Sequence, residues 1–224
     1  MKKLLVMATM LILITAMFAA EKQFAFKNAD AGVKVVQERS SGIVLEWSID
    51  GLSILDVNNQ SGSFTAVGVN GFIGTGEAGL PELPYSGRII AVPVNAELNV
   101  NFVNTQSSII NLKEHGFNNF ITPTQPPVEK HNNPAEMPFV MNMDAYNVDG
   151  YRGFSPVQIE EVGFMRGYRL VTVSYTPVEY FPLSSNIKVY DKVRVEITYD
   201  GADYAATEYM RAKTYSPAFE PVMK

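Results

Sequence analysis

Apolar and polar residues alternate along the C-terminal part of the chain with the two-residue period of a β-strand. In one segment a single face would carry Arg169, Val171, Val173 and Tyr175. In a second, Val193, Val195, Ile197 and Tyr199 alternate with Lys192, Arg194, Glu196 and Thr198. This pattern predicts antiparallel strands with one face in the core and one in water. Pro177 and Pro182 lack the N–H that a central strand needs, so we expect them to mark a segment that crosses between strands.

The same reasoning predicts an all-β, antiparallel β-sandwich along most of the chain. We expect strands near residues 23–28, 33–38, 42–49, 52–57, 63–69, 87–93, 97–104, 106–113, 157–162, 167–176, 187–190 and 192–199, and one short helix over 204–213. Asp50-Gly51 between two alternating segments is typical of a β-hairpin. Within residues 116–156, strands are broken by Pro123, Pro126, Pro127, Pro134 and Pro138, so this segment is predicted to be one long proline-rich loop.

The first twenty residues resemble a secretory signal peptide. Lys2 and Lys3 precede an apolar run from Leu4 to Phe18 and the small residues Ala19 and Ala20, after which we predict cleavage. The run is shorter than the roughly 20 residues of a membrane span, so we expect no span after the signal is removed. The predicted organisation is a signal peptide at 1–20, a β-sandwich domain at 21–201, and a short C-terminal tail or linker at 202–224. The signal peptide predicts secretion, to the periplasm or to the outside of the cell.

Composition excludes several kinds of function. The chain has no cysteine, so it contains neither a disulfide nor a cysteine nucleophile. Removing residues 1–20 takes the formal net charge from −5 to −7, and this acidity argues against a nucleic-acid partner. No G-x-S-x-G motif indicates a serine hydrolase.

Three further patterns are more simply explained as structural. Gly74, Gly76 and Gly79 fit G-x-G-x-x-G, but Pro81 and Pro84 block the helix that a dinucleotide site needs, so we expect a glycine-rich turn and no cofactor. His115 and His131 are the only histidines and are expected on the surface, not in a zinc site. Asp144, Asn147 and Asp149 lack the spacing of a calcium loop and are expected to form turns, so no metal is expected.

Several motifs resemble those of the N-terminal propeptide of gingipain-type (family C25) cysteine peptidases. The first block consists of Arg166-Gly167 before a strand, Pro177-Val178-Glu179-Tyr180-Phe181-Pro182, and the closing strand Ile187 to Tyr199. The second block is Gly79-Leu80-Pro81-Glu82-Leu83-Pro84, which leads into Arg88 to Pro93. The third block is the proline-rich loop Pro123 to Pro127, which leads to Asp144, Tyr146 and Phe154-Ser155-Pro156. Together the motifs cover about residues 79–201. The resemblance implies a jelly-roll-like sandwich.

The resemblance also implies a function: a secreted prodomain that acts as intramolecular chaperone and latency-maintaining inhibitor of a cysteine endopeptidase. The expected partner is the catalytic domain of such a peptidase, in cis or in trans. Without a cysteine the chain has no catalytic residue of its own, so it would be the N-terminal part of the zymogen. Gingipain-type enzymes cleave after Arg or Lys, which makes Lys130 and Arg152 the candidates for an inhibitory loop. Arg211, Lys213 and Lys224 are the candidates for processing in the tail.

Two other functions fit the sequence. A secreted β-sandwich that binds carbohydrate or protein would use exposed aromatic residues, for which Tyr146, Tyr151 and Phe154 are candidates and Trp47 is expected to be core. A structural subunit of a surface or secretion assembly would form oligomers and would affect no peptidase.

Overall fold

The structure is a computed structural model and describes residues 21–28, 31–59, 61–130, 137–150 and 154–218, with only the backbone of Thr75. In these ranges there are twelve strands, two α-helices and a 3-10 turn. The strands are β1 (Glu21–Ala25), β2 (Gly32–Arg39), β3 (Gly42–Ser48), β4 (Gly51–Asn59), β5 (Gly62–Gly68), β6 (Ile73–Thr75), β7 (Leu83–Val92), β8 (Glu97–Asn111), β9 (Val157–Met165), β10 (Tyr168–Tyr175), β11 (Val178–Phe181) and β12 (Asn186–Asp200). The helices are α1 (Met143–Tyr146) and α2 (Tyr204–Lys213), and the 3-10 turn is Lys113–His115. The predicted signal peptide lies outside the described residues.

The strands form three sheets. The first has the order β1-β4-β5, the second β6-β7-β10-β9 and the third β11-β12-β3-β2, with β8 on the other edge of β12. All pairings between these strands are antiparallel. The predicted all-β, antiparallel, sandwich-like fold is therefore confirmed.

The core lies between the sheets and is built by the inward faces that the alternation predicts. Val171, Val173 and Tyr175 on β10 are fully buried, and so are their counterparts on β12, Val193, Val195 and Ile197. Trp47 on β3 is also in the core, with 1% of its surface exposed. Its ring lies 6.0 Å from that of Tyr175, so an aromatic pair joins the sheet of β10 to that of β3.

The hairpin predicted at Asp50-Gly51 is wrong. β3 pairs with β2 and β12, whereas β4 pairs with β1 and β5, so the chain changes sheet at this turn. Ile49 and Leu52, one on each side of the turn, are both fully buried. The N–H of Ile49 donates to the Asp191 carbonyl (3.0 Å), which holds the turn against β12. An Asp-Gly pair predicts the turn but not the partners of the strands beside it.

Two strands are longer than predicted. β8 and β12 each run unbroken through positions where two strands were expected, and their shared ladder shifts register between Val189 and Lys192 and between Arg194 and Val195. The sequence pattern loses its period at such irregularities because an extra residue turns the following side chains to the other face. β11, flanked by Pro177 and Pro182, carries the chain from the sheet of β10 to that of β12 and pairs with Asn186 to Val189.

The two helices have 4 and 10 residues. Within the described ranges, no helix has the length and apolar character needed to cross a membrane.

A buried carboxylate links β3 to β12. Glu46 accepts a hydrogen bond from Nε of Arg194 (2.8 Å) and pairs with Nζ of Lys192 (3.1 Å). Burial by itself raises the pKa of the Glu46 carboxyl, but the hydrogen bonds and charges of Arg194 and Lys192 outweigh burial and hold that pKa below its ordinary value of 4.5. Glu46 therefore favours the folded state in its ionised form.

We expect Glu46→Gln to lower the free energy of unfolding at pH 7 by about 1 kcal/mol, since both cations are partly exposed and screened. Because the folded-state pKa is lowered, the advantage of Glu46 is present above the ordinary carboxyl pKa and is lost as the pH falls through the folded value. Urea unfolding at pH 7, 5 and 3 measures this difference. A difference that stays constant down to pH 3 would contradict the assigned ion cluster.

Candidate functional site

The long loop predicted at 116–156 is fixed to the domain at several points. Phe117, Ile121 and Tyr146 are buried. The hydroxyl of Tyr146 on α1 donates to the carbonyl of Ile121 (2.8 Å). Burial, and secondarily Tyr180, raises the pKa of Tyr146 well above its usual value, so the hydroxyl stays protonated and keeps donating. The two ends of the loop are therefore tied to each other and to the core.

The first limb of the loop lies along two other backbone segments. Thr65 on β5 donates to the Phe120 carbonyl (2.8 Å) and accepts from the N–H of Thr122 (2.9 Å). Glu82 then donates to the Thr122 carbonyl, and Thr124 donates to the carbonyl of Leu80 (2.8 Å each). Residues 120–124 thus add a short extended segment to the domain.

The glycine motif makes this close approach possible. A Cβ at Gly76 would lie 2.7 Å from Oγ1 of Thr124, and one at Gly79, where φ is +88°, would lie 3.0 Å from the Asn142 nitrogen. A Cβ at Gly74 would collide with the Glu82 carboxylate. Gly76 and Gly79 are therefore explained by packing beneath the two limbs of the loop, and Gly74 by its close contact with the Glu82 side chain.

A single side chain closes the neck of the loop. The amide of Gln125 donates from Nε2 to the Val140 carbonyl (2.9 Å) and accepts at Oε1 from the Val140 N–H (3.0 Å). Next to it, the Asn142 N–H donates to the Gly79 carbonyl (2.9 Å). We call residues 126–139 the projecting loop; residues 126–130 and 137–139 of it are described.

The projecting loop presents Lys130 to solvent. Lys130 is exposed and follows the stiff pair Pro126-Pro127 and exposed Val128. On the returning limb the Phe139 ring lies 5.3 Å from that of Phe64, which is buried in the domain. The loop is therefore anchored on both limbs while its basic residue remains accessible.

We expect Gln125→Glu to open the neck without unfolding the domain. A carboxylate cannot donate to the Val140 carbonyl, and its negative charge repels the partial negative charge of that oxygen. The measurement is limited proteolysis with an enzyme that cleaves within 126–139, which should be several-fold faster, while the melting temperature changes little. Gln23→Glu is the matched control, because among the described residues the Gln23 side chain bonds only to exposed Glu21. Unchanged proteolysis would show that the amide does not close the neck.

The other inhibitory-loop candidate, Arg152, lies outside the described residues. The chain before it is held by Asp149, whose Oδ1 accepts from the N–H and the hydroxyl of Ser184 (3.2 and 3.0 Å). After it, Phe154 stacks on Tyr190 with ring centroids 5.9 Å apart. Asp149 and Phe154, the described residues that flank this part of the chain, thus contact the turn before β12 and β12 itself.

The described aromatic candidates do not form a flat binding platform. Tyr146 is fully buried, and Phe154 is half-buried against Tyr190. Trp47 is in the core, as expected, and Tyr151 lies outside the described residues. The described candidates therefore give the carbohydrate-binding alternative no support.

The remaining titratable candidates have structural contacts. Nδ1 of His115 lies 2.7 Å from Nζ of Lys22, and its ring packs edge-on against Phe24. His131 lies outside the described residues. Among the residues that the structure does describe, no three or more of His, Cys, Asp and Glu are grouped to hold a metal ion.

The tail begins with helix α2, which is fixed at its N-terminus. Oδ1 of Asp203 accepts from the Ala206 N–H (2.8 Å), and Oγ1 of Thr207 accepts from the Val94 N–H (2.9 Å). Near the other end, Arg211 is half-buried with its guanidinium over the ring of Tyr168. Lys213 is the last residue of the helix and is exposed, and Lys224 lies outside the described residues. Of the processing candidates described, Lys213 is the more accessible.

Comparisons with known proteins place these features in a family. A family model of the C25 propeptide matches residues 23–214. Lys-gingipain of Porphyromonas gingivalis is 29% identical over 224 residues, which is all of this chain and 13% of that protein. Gingipain R2 of the same organism is 22% identical over 79% of this chain and 23% of that protein. The chain thus spans about an eighth of the length of the Lys-gingipain relative.

Two solved structures share the fold. One, described as "Structural insight into zymogenic latency of gingipain K from Porphyromonas gingivalis", is 27% identical with a TM-score of 0.72 and covers 82% of this chain and all of that one. The other, "Complex of Porphyromonas gingivalis RgpB pro- and mature domains", is 19% identical with a TM-score of 0.67 over 85% of this chain and 93% of that one. At that lower identity the second comparison supports the fold alone.

Proposed function

This chain belongs to the C25 propeptide family, and from that membership we propose that it is the prodomain of a gingipain-like cysteine endopeptidase precursor. In this role it binds the catalytic domain, assists its folding and keeps it latent until the tail is cut. No residue of the chain performs the peptidase chemistry, since the chain has no cysteine. The structural relative described in terms of zymogenic latency supports the proposal.

The observation that carries the proposal is the closed neck beneath an exposed lysine. An inhibitor of a peptidase must present a side chain that fits the specificity pocket. The segment that carries this side chain must not adopt the conformation in which a substrate is cleaved. The two hydrogen bonds between Gln125 and Val140 close the neck of the projecting loop, and Lys130 on its first limb is exposed. A loop whose neck is closed loses less conformational entropy on binding than one that is open there, which favours affinity. The ammonium of Lys130 would pair with an acidic group in the specificity pocket through charge-assisted hydrogen bonds.

We further propose that the partner enzyme is specific for lysine. The similarity to Lys-gingipain extends over the whole chain, whereas that to gingipain R2 extends over 79% of it and is lower. The basic residue on the described part of the projecting loop is Lys130. Arg152 is the alternative, and it would fit an arginine-specific partner.

The proposed organisation of the precursor follows the sequence. Residues 1–20 would direct export, 21–201 would form the inhibitory domain, and 202–224 would lead toward the catalytic domain. Cleavage after Lys213 would separate the two with α2 left on the prodomain, while Arg211 and Lys224 are the other candidates. Sequencing the transcript beyond the codon for Lys224 tests this part: an open frame encoding a Cys–His peptidase is expected, and a stop codon would restrict the chain to inhibition in trans.

Binding to enzyme with a free or a blocked active site tests the inhibitory mode. The chain is immobilised, and the catalytic domain of Lys-gingipain is applied with and without a covalent lysyl inhibitor in its pocket. We expect tight binding of the free enzyme and at least about tenfold weaker binding of the blocked one, which is about 1.4 kcal/mol. Equal binding of both forms would mean that the projecting loop does not enter the pocket.

A further inference from the structure

A cleft beside the first limb of the long loop contains a single charged side chain among its described residues. Its walls come from β5, the turn after it, β6, the start of β7 and the limb itself, and its volume is about 160 Å³. We call it the Glu82 cleft and define it by Val67, Phe72, Ile73, Gly74, Glu82 and Thr122. It shares no residue with the projecting loop.

The carboxylate of Glu82 is accessible and has no partner. The residue is partly buried, and both of its side-chain oxygens keep accessible surface. Within the described part of the chain, neither oxygen accepts a hydrogen bond or pairs with a cation. A carboxylate that has lost part of its hydration is unfavourable unless a cation or hydrogen-bond donors replace that water.

Gly74 on β6 makes room for this carboxylate. A Cβ at Gly74 would lie 2.7 Å from the carboxylate carbon of Glu82, so the carboxylate lies against the bare backbone of the strand. The N–H of Glu82 donates to the Thr122 carbonyl (2.8 Å), which fixes the backbone of Glu82 to the first limb. The place of the charge in the cleft is therefore set by the fold.

Two other carboxylates show what Glu82 lacks. Glu46 pairs with Lys192 and Arg194, at 3.1 and 2.6 Å. Glu161 pairs with Arg169 at 2.9 Å. In the Glu82 cleft no basic residue is among the described lining residues, so the matching cation has to come from elsewhere.

The walls of the cleft suit the stem of a long basic side chain. Val67 and Phe72 are partly buried and pack against the core, and Ile73 at the rim is 66% exposed. Lysine and arginine bury their methylene stems along apolar surface of this kind while the charged end meets a polar group. A cleft with a carboxylate and apolar walls therefore favours these two side chains over a hydrated metal ion.

The cleft lies within reach of an enzyme that holds Lys130. Thr122 precedes Gln125 by three residues, and Lys130 follows Gln125 by five. An extended chain spans at most about 3.5 Å per residue, so the Cα atoms of Thr122 and Lys130 are no more than about 28 Å apart. A catalytic domain of several hundred residues is about 50 Å across, which is enough to cover both places in one complex.

We infer that the Glu82 cleft receives a lysine or arginine side chain of the peptidase catalytic domain. This inference rests on the proposed function and adds to it a second contact, separate from Lys130. The carboxylate accepts charge-assisted hydrogen bonds from the basic group, and the apolar walls cover its stem. Lys130 offers the enzyme a cation and Glu82 offers it an anion, so the two contacts together fix the orientation of the domains.

The first test measures binding of the Lys-gingipain catalytic domain to the immobilised chain. Glu82→Gln keeps the size of the side chain and removes its charge, and we expect binding at least about tenfold weaker. Glu160→Gln, at an exposed acid on β9 that does not line the cleft, is the control and should bind like the unchanged chain. Equal binding of Glu82→Gln would overturn the inference and leave the proposed function standing, whereas an unchanged chain that does not bind would overturn both.

Gly74→Ala tests the position of the charge without removing it. The added methyl group displaces the Glu82 carboxylate, which is the far end of a flexible side chain and can move. We expect several-fold weaker binding and a melting temperature that changes little. A folded Gly74→Ala chain that binds as tightly as the unchanged one would count against the inference.

Two double-mutant experiments identify the occupant. In a Lys130→Ala chain, Glu82→Gln should cause the same fold-loss, because the two side chains contact different parts of the enzyme. A loss that disappears there would show that Glu82 acts only through the loop, and the inference would be wrong. Exposed lysines and arginines of the catalytic domain are then changed singly to methionine. One of these changes should weaken binding of the unchanged chain by about tenfold and of the Glu82→Gln chain hardly at all; if none does so, the assigned occupant is wrong.

Discussion

Lys130→Ala is expected to weaken inhibition of a lysine-specific gingipain-type peptidase by about 100-fold. If the ammonium pairs with an acid in the specificity pocket, its removal leaves that acid buried and unpaired. Truncating one member of such a pair costs about 2 to 5 kcal/mol, which corresponds to a loss of about 30-fold to several thousand-fold and includes the expected value. The inhibition constant against the catalytic domain of Lys-gingipain measures it.

The control for Lys130→Ala is Lys113→Ala, which removes an equally exposed lysine from the 3-10 turn outside the projecting loop. It should inhibit like the unchanged chain, because a solvated surface charge contributes little at a site that the enzyme does not enter. Arg152→Ala and the double change of Lys130 and Arg152 to alanine complete the set. If the double variant inhibits normally, neither residue occupies the pocket; a loss with Arg152→Ala alone assigns the pocket to Arg152.

Trp47→Ala is expected to lower the free energy of unfolding by about 3 to 5 kcal/mol, the cost of emptying a large site in a packed core. Only 1% of the Trp47 surface is exposed, and its ring joins the sheets through Tyr175. For a domain of this size such a change lowers the melting temperature by about 10 °C. Circular dichroism during thermal and urea unfolding gives both quantities.

Two further variants separate packing from other causes in this prediction. Trp47→Phe keeps most of the ring and removes Nε1, a buried donor with no partner among the described residues, so its cost should be much smaller. Ile109→Ala removes an apolar side chain that is 71% exposed on β8 and should change stability by less than about 0.5 kcal/mol. A loss from Trp47→Ala no larger than that from Ile109→Ala would contradict the position of Trp47 in the core.

The alternation of residues predicts the strands because burial on one face requires it. Val171, Val173 and Tyr175 therefore identify β10, and Val193, Val195 and Ile197 identify β12. Which strands pair with each other is harder to predict, because pairing depends on contacts between residues that are far apart in the sequence. Asp50-Gly51 has the chemistry of a tight turn whether the next strand returns beside β3 or enters another sheet. Burial of Ile49 and Leu52 decides which course the chain takes, and the local sequence does not show which distant strands these side chains contact.

The candidate site, too, could be predicted only in part from the sequence. The cluster of prolines before Lys130 predicts an exposed basic residue on a long loop, and the structure places Lys130 there. The neck was not predicted, because Gln125 and Val140 belong to no periodic pattern and meet only in the folded chain. The glycine motif could have indicated close packing, since three glycines before a proline-rich segment allow another backbone to approach. Arg211 was predicted as a processing residue, and nothing in the local sequence indicates its contact with Tyr168.

Titration of the chain into the catalytic domain of Lys-gingipain measures whether the chain is a stoichiometric inhibitor. At enzyme concentrations well above the dissociation constant, we expect activity on a lysyl substrate to fall linearly and to reach zero near one equivalent of intact chain. The inhibition should be competitive with substrate. Full activity in the presence of excess folded chain, or rapid cleavage of the chain after Lys130 with no loss of activity, would contradict the account.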